Sequence, residues 1–187
     1  MEKDPYALLF HEEKLLRPRA YIKENAFLSM ILSAIEVYHH ETLGLLLGYG
    51  MGQEFVVEYA IPYQTAVKGY TYTMPPKERV LERMIDILSE WPGEVIGDYH
   101  SHTELGANKA KAIPSGTDIA DMTRGKLSII IAVNEKEREM KWRKNRNGSL
   151  SGTLGDFHIE IGGFVLYGEK RYRRVELICP AATGIKF

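Results

Sequence analysis

The stretch from Glu94 to Asp118 constrains this chain more than any other. An extended apolar run ends in Gly97-Asp98-Tyr99-His100-Ser101-His102, and after a polar loop Ser115-Gly116-Thr117-Asp118 opens the next expected helix. Side chains two apart in a strand project to the same side, so His100 and His102 can present imidazole nitrogens to one point. Asp118 at the helix start can add an oxygen. A fold that satisfies this pattern must bring a strand end and a helix N-terminus together.

Each part of the pattern is weak alone. Ser115-Gly-Thr-Asp118 is also a helix capping box, in which the serine caps the N-terminus and the acid reaches back. Together the three side chains suit zinc, which takes nitrogen and oxygen ligands in four positions and, with three protein ligands, keeps one for water. Zinc lowers the pKa of such a water to roughly 7, so the pattern reads as a hydrolase centre. A base is still required. Glu41 directly precedes the apolar run Leu43 to Leu47, from which it can reach the site across neighbouring strands. Ser115 can donate to the oxyanion of a tetrahedral intermediate.

The remaining sequence supplies a frame. At 187 residues and 44% hydrophobic content, the chain has enough apolar material for one conventional core. Twenty-four basic side chains against 25 acidic ones give a net charge of -1, which excludes an overall attraction to nucleic acid or anionic membrane. Between Lys136 and Phe187 there are 11 Lys/Arg against six Asp/Glu, a local excess that solvated strand faces explain. The single Cys179 excludes an internal disulfide and any cysteine-rich zinc module. Met1-Glu2-Lys3-Asp4-Pro5 has neither the cationic start nor the apolar run of a signal peptide, and no apolar segment approaches the ~20 residues that span a bilayer. A cytoplasmic location is expected, with no membrane or nucleic-acid partner.

From Glu24, the apolar residues Phe27, Met30, Ile31, Ala34, Ile35 and Tyr38 recur at helical spacing and predict a core helix. Thr42 to Gly48 and Glu54 to Ile61 predict an antiparallel strand pair, and Pro75-Pro76 opens a helix with Leu81, Met84, Ile85 and Leu88 on one face. Tyr63 to Pro76 reads as a loop or short strand. Ser115 to Arg124 predicts a helix and Leu127 to Val133 a strand. Beyond these come Met140 to Lys144, a turn at Asn147-Gly148, and strands at Phe157 to Ile161, Phe164 to Tyr167 and Tyr172 to Ile178. The expected class is α/β, a mixed sheet between helices in one domain. Residues 1–23 are an N-terminal extension, 24–134 the core and 135–187 a β-rich C-terminal extension.

An upstream glutamate, Leu43-Gly44-Leu45-Leu46-Leu47-Gly48, then Gly-x-Tyr-His-Ser-His and Ser-x-x-Asp resembles the JAMM/MPN-plus zinc metalloproteases of prokaryotic and archaeal type. The resemblance implies a cytidine-deaminase-like α/β/α core. It implies Zn2+ held by His100, His102 and Asp118, Glu41 as the catalytic glutamate, Ser115 as the transition-state serine, and a ubiquitin-like modifier or sulfur-carrier protein as substrate. Tyr70-Thr71-Tyr72-Thr73-Met74-Pro75 resembles the segment that precedes the second helix in prokaryotic members. Thr103 stands where the family carries proline, and the 15 residues between His102 and Asp118 exceed its usual spacing. The loop Thr103 to Pro114 is therefore the candidate substrate-binding element, since lengthening a loop costs little entropy. A homo-oligomer is compatible with the sequence.

The competing reading is a catalytically silent MPN-type scaffold. Other His-x-His hydrolases fit less well: Glu104-Leu105 follow where a metallo-β-lactamase site wants Asp then His, a zinc deaminase needs a Cys-x-x-Cys pair, and an amidohydrolase barrel needs about 250 residues. His39 and His40 are adjacent and cannot both face one site. His11 and His158 lack a partner motif and read as structural.

Overall fold

A computed structural model describes residues 17–68 and 73–185. The first 16 residues of the expected N-terminal extension, His11 among them, and the Tyr70-Thr71-Tyr72 part of the segment before the second helix lie outside the described residues. The strands are β1 (Arg19–Ile22), β2 (Leu43–Met51), β3 (Glu54–Pro62), β4 (Val67–Lys68), β5 (Thr73–Met74), β6 (Glu94–Thr103), β7 (Leu127–Glu135), β8 (Arg143–Lys144), β9 (Leu150–Leu154), β10 (Phe157–Leu166) and β11 (Tyr172–Ile178). The helices are α1 (Glu24–Glu36), α2 (Glu78–Leu88), α3 (Gly116–Asp121) and α4 (Pro180–Thr183).

Among the described residues, nine strands form one sheet in the order β11-β1-β3-β2-β6-β7-β10-β9-β8, and β4 pairs with β5 alone. The class is mixed α/β, rich in sheet and poor in helix. The sheet closes on itself, because β10 also pairs with β11. Closure removes exposed edges along most of the sheet, the feature of an open sheet that invites unwanted pairing.

One face of the sheet packs on α1. Phe27, Met30, Ile31 and Ala34 fall on the stripe that the sequence predicts and are buried against Leu46, Tyr99, Ile129, Ile131 and Val133. Each large side chain so buried contributes roughly 1.5–3 kcal/mol. No side chain caps α1 at its N-terminus, so this packing is what holds it. The Leu-Gly-Leu-Leu-Leu-Gly and Gly-Asp-Tyr-His segments interlock here. Gly44 lies opposite Tyr99, and a Cβ at Gly44 would stand 2.4 Å from the Tyr99 ring. Tyr99 then reaches across to Ser33 of α1, hydroxyl to hydroxyl at 3.0 Å.

β7 is buried along its length up to Asn134, as a strand covered on both faces must be. Leu127, Ile129, Ile131 and Val133 enter the main core, while Ile130 packs on Met122, Phe164 and Leu166 beneath α3. β6 and β7 run parallel, so residues between them must cross over the sheet. That crossover is the loop after Thr103 followed by α3, and it returns the helix N-terminus to the end of β6 that carries the histidines.

Several expectations need correction. α3 ends at Asp121, because Met122 is extended (φ -61°, ψ 128°). α2 buries none of its residues, and Ile85 is 53% exposed; its apolar stripe borders a cleft instead of filling the core. β1, expected as part of a packed extension, pairs in parallel with both β3 and β11. β9 was not foreseen, since Leu-Ser-Gly-Thr-Leu carries little β-branched material. β10 is continuous through Gly162-Gly163, where two strands were expected. A Cβ at Gly162 would lie 2.5 Å from the Ala112 carbonyl oxygen, so this glycine lets the 103–114 loop settle on the strand.

Gly162→Ala should therefore lower the unfolding free energy by about 1–3 kcal/mol. Gly116→Ala, where a Cβ meets nothing within 4 Å, should change it by less than about 0.5 kcal/mol. Urea denaturation of both variants checks the pair.

Candidate metal centre

The register of β2 against β6 builds the site. Leu43 lies opposite His100, and the Ser101 amide donates to the Thr42 carbonyl at 3.0 Å. Continuing this antiparallel register by two residues sets Glu41 across from His102, on the same face of the sheet. Ser101 fastens the joint from the other face, its Oγ accepting from the Thr42 amide at 2.9 Å. Ser101 is a positioning residue to which the sequence pattern assigns no role.

His100 and His102 approach each other with Nε2 atoms 3.2 Å apart. Asp118 reaches them from α3, Oδ1 at 3.3 Å from His100 Nε2 and Oδ2 at 3.3 Å from His102 Nε2. All three ligating groups lie within 4.8 Å of one another. In a tetrahedral zinc site with bonds of about 2.0–2.1 Å, neighbouring ligand atoms stand about 3.3–3.4 Å apart. The separations seen here match that spacing, and the set of two imidazoles and one carboxylate fits the ion. His100, His102 and Asp118 could hold a metal.

The capping box and the ligand set share atoms. Asp118 Oδ2 accepts from the Ser115 amide at 2.6 Å, and Ser115 Oγ accepts from the Asp118 amide at 3.2 Å. The cap therefore aims the carboxylate. It also leaves the Ser115 hydroxyl proton free to be donated into the cleft that both residues line. His102 Nδ1 lies 3.0 Å from the Lys111 carbonyl oxygen; donating there puts the proton on Nδ1 and the lone pair on Nε2, the atom facing the ligand cluster.

Charge around the centre follows from burial and neighbours. Burial raises the Asp118 carboxyl, but hydrogen bonds from His100, His102 and the Ser115 amide outweigh it and hold the group well below the usual range. Burial presses the His102 imidazole down, yet Asp118, the Lys111 carbonyl and Glu41 outweigh it and raise the pKa above its ordinary value. Glu41 is 8% exposed, and burial raises its carboxyl against the opposing pull of His102 and His100. A carboxyl pushed toward neutrality suits a group that must take up and release a proton.

All five expected site residues line one cleft of about 1160 Å³. The 103–114 loop forms a wall of it and is anchored at four points. Glu104 accepts from Tyr38 at 2.7 Å and from Lys109 at 2.8 Å. Asn134 clamps Ala110 through its amide and carbonyl, at 2.7 and 3.1 Å. Lys111 holds His102, and Ala112 rests on Gly162. Asn134 was missed by sequence reasoning; its signal was a polar amide ending the apolar run Leu127 to Val133. Neither His39 nor His158 belongs to the ligand group: the His39 ring lies against Tyr38 at 4.6 Å, and burial lowers the His158 pKa.

A family model of prokaryotic homologues of the JAB domain matches residues 23–145. The chain belongs to this family. No curated protein matches the sequence. The solution structure of protein DSY2949 from Desulfitobacterium hafniense is similar at a TM-score of 0.61 and 16% identity, over 86% of this chain and 92% of that one. That likeness concerns the fold. No described helix of this JAB homologue is long and apolar enough to cross a membrane.

Zinc should bind at one equivalent, and Asp118→Ala should weaken it by at least about 100-fold, read by competition with a chromophoric chelator. Coordination requires neutral His102, whose pKa is raised. Affinity should therefore be full at high pH and begin to fall above the ordinary imidazole value of about 6.5, by about ten-fold per pH unit for one displaced proton. A zinc affinity constant between pH 8 and 6 would contradict this assignment.

Proposed function

We propose that this JAB homologue is a zinc metallopeptidase that hydrolyses a peptide or isopeptide bond at the C-terminal tail of a ubiquitin-like modifier or sulfur-carrier protein, in the cytoplasm. The observation that carries the reading is the convergence of Glu41, from a different strand, on the cleft that holds the His-His-Asp group. A scaffold has no use for a buried acid at that point. The reading also takes the core to be of the cytidine-deaminase-like kind, supported by α1 on one side of the sheet and α3 on the other.

Bound zinc would supply Lewis acidity to the scissile carbonyl and hydroxide near neutral pH. Glu41 takes a proton from the attacking water and returns it to the leaving amine. Ser115 donates its hydroxyl proton to the oxyanion. The substrate tail lies extended and pairs through its backbone as an added strand. The main sheet gives it no opening at β6, which is paired on both sides, so the β4–β5 ladder is the better edge; Pro75, just past β5, lines the cleft. The 103–114 loop walls the substrate on another side.

Glu41→Gln should keep one equivalent of zinc and lose turnover by at least about 1,000-fold, measured on modifier fusions with and without chelator. Full activity in that variant would refute the assignment. A wild-type protein that is equally stable and takes up no zinc would favour the scaffold. Ser115→Ala should cost about 1 kcal/mol of stability through the cap and roughly 100-fold in kcat through the oxyanion; a loss in stability alone would leave Ser115 as a cap and nothing more.

A further inference from the structure

Asp98 has no part in the chemistry above, yet it sits on the floor of the same cleft. Alternation along β6 puts it on the face of His100 and His102. It lies two residues before His100, so the two Cα atoms are about 7 Å apart. Its flanks are fixed by register, Leu45 on β2 and Ser128 on β7. Leu45 beside it is apolar, as are Val95 and Met122 among the cleft's lining residues, and Tyr63, its hydroxyl pKa raised by burial, stands near enough for the Asp98 charge to raise it further.

The carboxylate is underused. Ser128 Oγ donates to Asp98 Oδ1 at 3.0 Å, and among the described residues nothing donates to Oδ2. Two of the three lysines that line the cleft are engaged elsewhere: Lys126 Nζ donates to the Val95 carbonyl at 2.6 Å and pairs with Glu94 at 3.4 Å, and Lys109 pairs with Glu104 at 2.8 Å. Lys111 has its backbone at His102, at the other end of the histidine pair. A half-buried carboxylate on an apolar floor is stabilised by a cation that can also hydrogen-bond to it, and among the described residues no cationic side chain pairs with Asp98.

We propose that Asp98 is a specificity-determining residue that receives a cationic side chain, arginine or lysine, of the peptide presented to the metal centre. The proposal rests on the peptidase reading for the identity of the ligand as a peptide. An extended chain advances two residues in the same distance as β6. The cationic side chain therefore belongs to the residue two positions from the one lying over His100. Its methylene stem would cover Leu45 and Val95 while its head reaches Oδ2, the division of labour that long basic side chains allow.

The test separates binding from turnover. Zinc-loaded protein is titrated by NMR with N-acetylarginine amide and N-acetyllysine amide, and with the neutral counterparts N-acetylcitrulline amide and N-acetylnorleucine amide. The cations should bind at least about five-fold more tightly than their counterparts, with shifts at Asp98 and Ser128. Asp98→Asn, nearly isosteric and still able to accept from Ser128, should abolish the preference. Equal affinity in the wild type, or a preference that survives Asp98→Asn, overturns the proposal. In parallel, a random decapeptide library is digested by wild type and Asp98→Asn, and the residues around each cut are read by mass spectrometry. Enrichment of Lys or Arg at one fixed position, lost in the variant, supports the proposal; zinc-dependent cleavage without it overturns the proposal and leaves the peptidase reading standing. Asp98-dependent binding of the cations without any cleavage would do the reverse.

Discussion

β6 is hydrogen-bonded along both edges, to antiparallel β2 on one side and parallel β7 on the other, and everything at the site depends on this. A strand locked on both sides cannot slip by one residue without turning every side chain to the opposite face. Tyr99 therefore stays in the core with Ser33, and Asp98, His100 and His102 stay in the cleft. The antiparallel neighbour fixes where Glu41 begins its strand. The parallel neighbour forces a crossover, and the crossover delivers Asp118. Two pairings of opposite sense thus bring Glu41, which precedes the histidine pair in sequence, and Asp118, which follows it, to one cleft.

Much of this was legible in the residues. The core stripe of α1, the β2–β3 pair and the strand ending in two histidines each follow from a period or a glycine boundary. The ordered set from Glu41 to Asp118 identifies the family, and all five side chains meet in one cleft. What could not be read depended on contacts distant in sequence. β1 is four residues with no internal pattern strong enough to separate it from a tail, and it becomes a strand because β3 and β11 both offer it an edge. Gly162-Gly163 looks like a break, because only the approach of Ala112 explains why a side chain is missing there. α2 has the apolar stripe of a core helix, and nothing local says that a cleft lies beneath it. Ser101 and Asn134 act through side-chain bonds to backbone groups distant in sequence, and only Asn134, a polar amide ending an apolar run, leaves a mark in the pattern.

The capping box at Ser115 shows why a bland and a specific reading of one motif need not compete. A cap requires an acceptor from the N-cap residue and an acid three residues on that turns back toward the helix start. A metal ligand at a helix N-terminus requires an acid turned the same way. Asp118 meets both requirements with one rotamer, Oδ2 shared between the Ser115 amide and His102. The cap also keeps the carboxylate ionised, since amide and imidazole donors all favour its charged form.

Each ligand in this centre is held by a protein contact of its own: His100 by the pairing of β6, His102 by the Lys111 carbonyl, Asp118 by the cap. This differs in kind from small zinc modules, in which ligand convergence and folding are the same event and the metal's binding energy is the folding energy. Here the hydrophobic core around α1 lies on the other face of the sheet and owes nothing to the cleft. Stability and chemistry are separated by one strand, alternate residues of which serve one or the other. The cleft face can therefore vary, in the 103–114 loop and at Asp98, without disturbing the core that keeps the histidines in register.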